Sequence, residues 1–227
     1  MLILIQARMN SKRLPNKVLL KISNKEILSH IISRIKKCYN NVNIIVATSK
    51  KKSDLPIVKF CKKEKIQFFC GELEDVAYRL LSAAKKFKSK YFIRICGDSP
   101  LIDPEIIDKL INISKKKKNF DLISNREDKS VPSGQKVEVI KTKSLEKAYK
   151  FFSLERHFEH VTSYFYEEKK KFLIFKTRLF KKKSNLKLTV DNKYDLKKIK
   201  MLFKNMENKK YFGLKQIEKV YKKLGYA

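Results

Sequence analysis

Apolar positions in the first half of the chain alternate between two rhythms. Short apolar runs at 2–5, 42–47, 66–69, 91–95 and 121–123 predict strands. The segments between them, 25–38, 54–65, 74–87 and 104–114, carry apolar residues at helical spacing. In the last of these, Asp103 stands at an N-cap position and Pro104 at the first helical position. Ile106, Ile107, Leu110 and Ile111 form its apolar face. Strand–helix alternation of this kind predicts an α/β fold, with a mainly parallel sheet and helices on both faces.

The second half is less regular. It predicts strands at 136–140, 172–178 and 186–190, and helices at 143–152, 155–167, 194–204 and 214–223. No internal repeat and no Pro/Gly/Ser-rich linker interrupts the chain. We expect one domain of 227 residues. It has a nucleotide-binding half (1–124), an excursion (about 125–185) and a C-terminal part (186–227).

Ligands of such sheets bind at the carboxyl ends of the strands. Two segments at these ends hold unusual chemistry. The loop after the first strand, within LILIQARMNSKRLPNKVL, brings Arg8, Ser11, Arg13 and Lys17 together. Arg offers a forked donor to phosphate oxygens, Lys a point charge, and loop amides a further nest. The loop has neither GxxxxGK[ST] nor GxGxxG. In RICGDSPLID, Gly97 permits close backbone approach and Asp98 follows at the strand end. Asp98 suits Mg²⁺, which needs only one or two protein carboxylates, or else supports the turn. Asp191 follows the 186–190 run. It is either a second metal carboxylate or a cap for the next helix. Glu138 lies within an apolar alternation, facing either inward or solvent. His157 and His160 are three apart on an expected helix and more often structural than metal ligands.

Charge changes this picture less than its size suggests. The net charge is +32, from 55 Lys and Arg against 23 Asp and Glu. Such an excess points first to a polyanion, and a nucleic-acid-binding protein is one alternative. Yet Lys is spread everywhere, in runs such as 50–52, 115–118, 169–171 and 181–183, which reads as solvated surface. Where Lys is the default cation, each of the eight Arg is informative, and two of them lie five residues apart in the first loop. The four Cys show no CxxC pair or metal spacing. No apolar run reaches the roughly 20 residues of a membrane span, and no secretory leader is expected. A cytoplasmic location with reduced thiols follows.

The motifs IQARMNSKRLPNKVL, GDSPLIDPEIID, GQKVEVI, ERHFEHVTSYF and LTVDNKYDL occur in one order over about 200 residues. Together they resemble the cytidylyltransferases of surface-polysaccharide synthesis. The similarity is greatest to the SpsF-like spore-coat group, related to the synthetases of CMP-ketodeoxyoctonate and CMP-neuraminate. The resemblance implies a glycosyltransferase-A-type nucleotidyltransferase sheet, CTP as donor, Mg²⁺, and a homodimer built on the excursion. It implies that Gln6 and Ala7 lie against the nucleoside, with Gly97 beside them. Arg8, Ser11, Arg13 and Lys17 would contact the triphosphate, and Arg79 would contact the nucleotide or support its pocket. Asp98 and Asp191 would hold the metal. Gln135, Glu138 and His160 would face an anionic sugar or sugar-acid acceptor. Asn10 and Asn16 replace residues that are usually Gly, and Cys96 replaces a Gln that often reads the base. A sugar-nucleotide pyrophosphorylase using another NTP is therefore a further alternative.

Overall fold

The computed structural model describes residues 1–181, 183–206 and 211–226. Lys182 of the 181–183 run lies outside them. The strands are β1 (Leu2–Gln6), β2 (Lys21–Ile22), β3 (Lys25–Glu26), β4 (Asn43–Ser49), β5 (Gln67–Gly71), β6 (Tyr91–Cys96), β7 (Leu122–Ser124), β8 (Glu138–Lys141) and β9 (Ile174–Lys176). The helices are α1 (Ile27–Ile35), α2 (Leu55–Lys63), α3 (Val76–Lys86), α4 (Pro104–Lys116), α5 (Thr142–Tyr149), α6 (Glu155–Glu159), α7 (Ser163–Glu167), α8 (Lys193–Lys204) and α9 (Leu214–Lys223).

Seven strands form one sheet in the order β5-β4-β1-β6-β8-β7-β9. Strands β5, β4, β1 and β6 are parallel, and β8 runs antiparallel to both β6 and β7. The mixed, mainly parallel α/β architecture expected from the alternation is therefore present. The apolar run of β1 reflects burial on both faces. Ile3 and Ile5 join one core with residues of α1, α2 and α4, while Leu2 and Leu4 join a second with α3 and α5. Asp103 caps α4 by accepting from the Glu105 amide at 3.0 Å.

Three expectations are corrected. The 25–38 segment opens not as helix but as β3, the second strand of a hairpin with β2. Ser23 (φ 43°) and Asn24 (φ 63°) supply the two left-handed positions of its turn. The 155–167 segment is not one helix. It breaks at His160 (φ −105°, ψ 51°), so Val161 is buried and Thr162 reaches Glu138 at 2.8 Å. The 186–190 run forms no sheet strand. Leu188 and Val190 are buried in alternation, but the run has only a single bridge, Ser133 to Lys187. Burial at period two reports a buried face, and only a neighbouring backbone makes a ladder.

Candidate active site

The carboxyl ends of β1 and β6 meet where the sheet order switches, with β4 on the other side of β1. The Gly97 amide continues the β6 ladder to the Gln6 carbonyl at 2.9 Å. A Cβ on Gly97 would stand 2.7 Å from that carbonyl oxygen, so only glycine lets the two strand ends close. A cleft of about 420 Å³ opens above them. It is lined by Gln6, Ala7, Arg8, Ser11, Arg13, Lys17, Arg79, Gly97, Asp98, His160 and Asp191, all singled out in the sequence, and also by Lys12, Val18, Val76, Arg94, Cys96 and Glu159.

The first loop owes its shape to two features. Asn16 sits at φ 61°, ψ 13°, a left-handed position that Asn tolerates, and its amide donates to the Met9 carbonyl at 2.9 Å. Asn10 has no positive φ, so its replacement of Gly needs no such tolerance. From below, fully buried Asp54 accepts from the Met9 amide at 2.7 Å and from the Ser49 amide and hydroxyl at 3.1 and 2.6 Å. Asp54 thereby ties the loop to the end of β4. In sequence it reads as an ordinary helix-start residue, and nothing there separates it from other Asp.

Asp98 and Asp191 are 93 residues apart in sequence and meet around Lys17. The Val190 amide donates to the Asp98 carbonyl at 2.9 Å, which draws the second segment alongside the first. Lys17 Nζ lies 2.9 Å from Asp98 Oδ2 and 3.6 Å from Asp191 Oδ1, and also donates to the Val190 carbonyl at 3.1 Å. Arg13 approaches Asp191 at 3.3 Å, and Lys187 at 3.3 Å. Burial alone would raise the Asp191 pKa. Lys17, Lys187 and Arg13 outweigh it and hold this carboxyl below its ordinary value. Asp191 is not the cap of α8, since Asn192 accepts from the Asp195 amide at 2.9 Å. Both carboxylates thus share the Lys17 ammonium, while Asp98 also accepts from the Ser99 hydroxyl at 3.1 Å and Asp191 from the Thr189 hydroxyl at 3.2 Å.

Arg8 is paired differently. Its Nη2 and Nη1 grip Glu159 Oε1 and Oε2 at 2.6 and 3.1 Å. Buried Arg79 donates through Nη1 to the Glu72 and Leu73 carbonyls, and its pKa is pushed down to about 10 by burial and by the charge of Arg8. Arg94, on β6, donates from Nε to Gln6 Oε1 at 2.7 Å and from Nη1 to Glu138 Oε2 at 2.7 Å. Cys96 is a thiol in this setting, its pKa raised to about 11 by burial.

A second cavity of about 200 Å³ adjoins the first through Arg94, Cys96 and His160, and adds Arg126, Lys136 and Glu138. His160 follows the end of α6 and lines both. His157 is buried instead against Glu167, 2.8 Å from its Oε2, so the two His do not share a face. Gln135 is fully buried away from both cavities. Its Oε1 accepts from the Asp103 amide at 2.7 Å and its Nε2 donates to the Leu101 carbonyl at 2.6 Å. Sequence reasoning assigned no role to Arg94, Arg126 or Glu159. The scarcity of Arg was the available signal for the first two.

The chain matches the profile of the cytidylyltransferase family over residues 2–223. It belongs to that family. The spore coat polysaccharide biosynthesis protein SpsF of Bacillus subtilis is 30% identical over 212 residues, covering 89% of this chain and 85% of that protein. A cytidylyltransferase from Leptospira borgpetersenii superposes with a TM-score of 0.93 at 29% identity, covering 98% of this chain and 94% of the other. A CMP:2-keto-3-deoxy-manno-octonic acid synthetase solved with CTP shares the fold at a TM-score of 0.67 and 18% identity, over 90% and 98% of the two chains. This cytidylyltransferase thus falls in the SpsF-like group, and its cleft lies where an open parallel sheet binds ligands.

Proposed function

We propose that this enzyme transfers the cytidylyl group of CTP to an oxygen of an anionic sugar or sugar-acid acceptor, releasing pyrophosphate, in the synthesis of a surface polysaccharide. One observation carries the reading. Six cationic side chains (Arg8, Lys12, Arg13, Lys17, Arg79, Arg94) line the cleft against three carboxylates, and two of those carboxylates converge on a single ammonium. A cleft with that surplus suits a polyphosphate, and paired carboxylates suit the divalent cation that accompanies one.

Asp98 and Asp191 fit Mg²⁺ on the chemistry of the donor set, two hard oxygen donors already gathered around a positive charge. Bound there, Mg²⁺ would neutralise charge developing on the phosphate oxygens. Lys17, displaced from the carboxylates, has the reach to become a phosphate donor. Arg8 and Arg13 supply forked donors, and Gln6 and Ala7 at the end of β1 form the floor for the nucleoside. The acceptor oxygen attacks the α-phosphorus, and the bond to the bridging oxygen breaks with its electron pair leaving on pyrophosphate. The protein's work is positioning and charge stabilisation.

The adjoining cavity, with Arg94, Arg126 and Lys136 against Glu138, supports an anionic acceptor. Polysaccharide synthesis is supported by the name of the B. subtilis relative. A homodimer is supported by β9, one of the two edge strands of the sheet, which lies in the 125–185 segment. Cys96 favours one second reading. A thiol is a weak hydrogen-bond partner for a base, so the donor could be another NTP.

The deciding experiment is a melting-temperature screen with each of the four NTPs and Mg²⁺, because a ligand bound only by the folded chain raises Tm. CTP should give the largest rise, Arg13→Ala should reduce it, and Asp98→Asn should abolish turnover. A shift equal for all four NTPs, or none, would refute CTP as donor. Normal turnover by Asp98→Asn would refute the metal assignment.

A further inference from the structure

Of the three cations placed to meet a triphosphate, Arg8 stands apart. Lys17 and Arg13 face Asp98 and Asp191, whose release would leave two carboxylates ready for a metal. Arg8 faces Glu159, which has no such second task. Both guanidinium nitrogens are engaged, at 2.6 and 3.1 Å, in the fork-to-fork geometry by which Arg also grips a phosphate. A carboxylate and a phosphate oxygen pair cannot hold the same two donors at once. Glu159 is the last residue of α6, followed by the break at His160. The far side of this short element is anchored. Arg156 Nε and His157 Nε2 reach Glu167 at 2.9 and 2.8 Å, and Thr162 reaches Glu138 at 2.8 Å. The Glu159 side chain can therefore leave Arg8 while its backbone stays in place, ready to return.

We propose that Glu159 is a built-in competitor for the phosphate subsite: it occupies the Arg8 fork, yields it to the incoming triphosphate, and reclaims it as pyrophosphate departs. This rests on the cytidylyl-transfer reading above, and it assigns Glu159 a positioning role, acting through Arg8. The competition sets the affinity for both polyphosphates. It weakens the nucleotide, and in return it speeds release of the product.

Isothermal titration with CTP, pyrophosphate and inorganic tripolyphosphate tests it, on the full chain with Mg²⁺ and on Glu159→Gln, Glu159→Ala, Arg8→Ala and the Arg8→Ala/Glu159→Gln pair. Removing the carboxylate should tighten all three ligands by about two- to fivefold, the range a part-exposed ion pair commands. It should also lower kcat through slower pyrophosphate release. In the Arg8→Ala background the same substitution should change nothing. Unchanged or weaker binding in both Glu159 variants, or an equal gain without Arg8, would overturn the proposal. A loss of melting temperature alone would mark Glu159 as structural and overturn it too. Tripolyphosphate separates the two readings. If it binds while CTP adds nothing, the cytidylyl reading fails and the Glu159 competition is still read. If none of the three ligands binds the parent chain, both fall.

Discussion

At the scale of single residues, the cleft depends on the left-handed backbone at Asn16 and on the bare Cα of Gly97. Asn16 holds φ 61° in the loop after β1, where most side chains clash with the following carbonyl. Asn16→Ala should cost about 1 kcal/mol of stability in urea unfolding and weaken CTP. Asn16→Gly should stay within about 1 kcal/mol of the parent, since glycine trades relief of that strain for unfolded-chain entropy. Equal losses for the two would show that the side-chain carboxamide, rather than the left-handed backbone, matters. Asp54 illustrates what sequence could not supply at this scale. Its carboxylate is buried by contacts from positions 9, 48 and 49, and the chain has to fold before those donors surround it.

At the scale of elements, α6 ends at the cleft with Glu159, and an ion cluster joins it to α7. Glu167 accepts from Arg156 and His157, and these bonds lower its pKa from 4.5 to about 2. A carboxyl with a lowered folded pKa lends stability that is fully present above its unfolded value and fades as pH falls toward the folded one. The contribution from this cluster should therefore be intact above about pH 5 and lost between about 4.5 and 2. Glu167→Gln should flatten that part of a melting-temperature profile, and an unchanged profile would contradict the pairing. Glu167 is more than one-third exposed, so solvent tempers the effect. These two elements also show where pattern reading stopped. Helical spacing runs unbroken through 155–167, but the chain breaks at His160, and Thr162 beyond the break bonds Glu138.

For the whole molecule, the surplus of +32 resides mostly in dispersed Lys, whereas four of the eight Arg line the cleft. The two should separate under salt. Non-specific nucleic-acid binding, which depends on released counterions, should fall by about a thousandfold or more between 50 and 200 mM salt if six or more phosphates are neutralised. CTP binding in a recessed cleft is screened much less. A filter-binding titration beside a CTP titration would check this. RNA binding that persists at high salt with sequence preference would revive the nucleic-acid alternative. Among the described residues no helix is long and apolar enough to cross a membrane.

What the sequence by itself determined is local in origin. The strand and helix rhythm of the first half follows from alternate burial, and the Asp103 cap follows from unpaired amides at a helix start, where Pro104 has no N–H to leave unpaired. The basic loop after β1 is legible because Arg is rare and strand ends face the ligand side. Tertiary structure alone decided which distant groups meet. Asp191 reaches Lys17 because the Val190 amide bonds to the Asp98 carbonyl, Arg94 faces Glu138 because β6 pairs with β8, and Glu159 faces Arg8 across 151 residues. Periodicity encodes which face of an element is buried. It carries nothing about the partner across the cleft, because that pairing is a property of packed layers and exists only once they have closed.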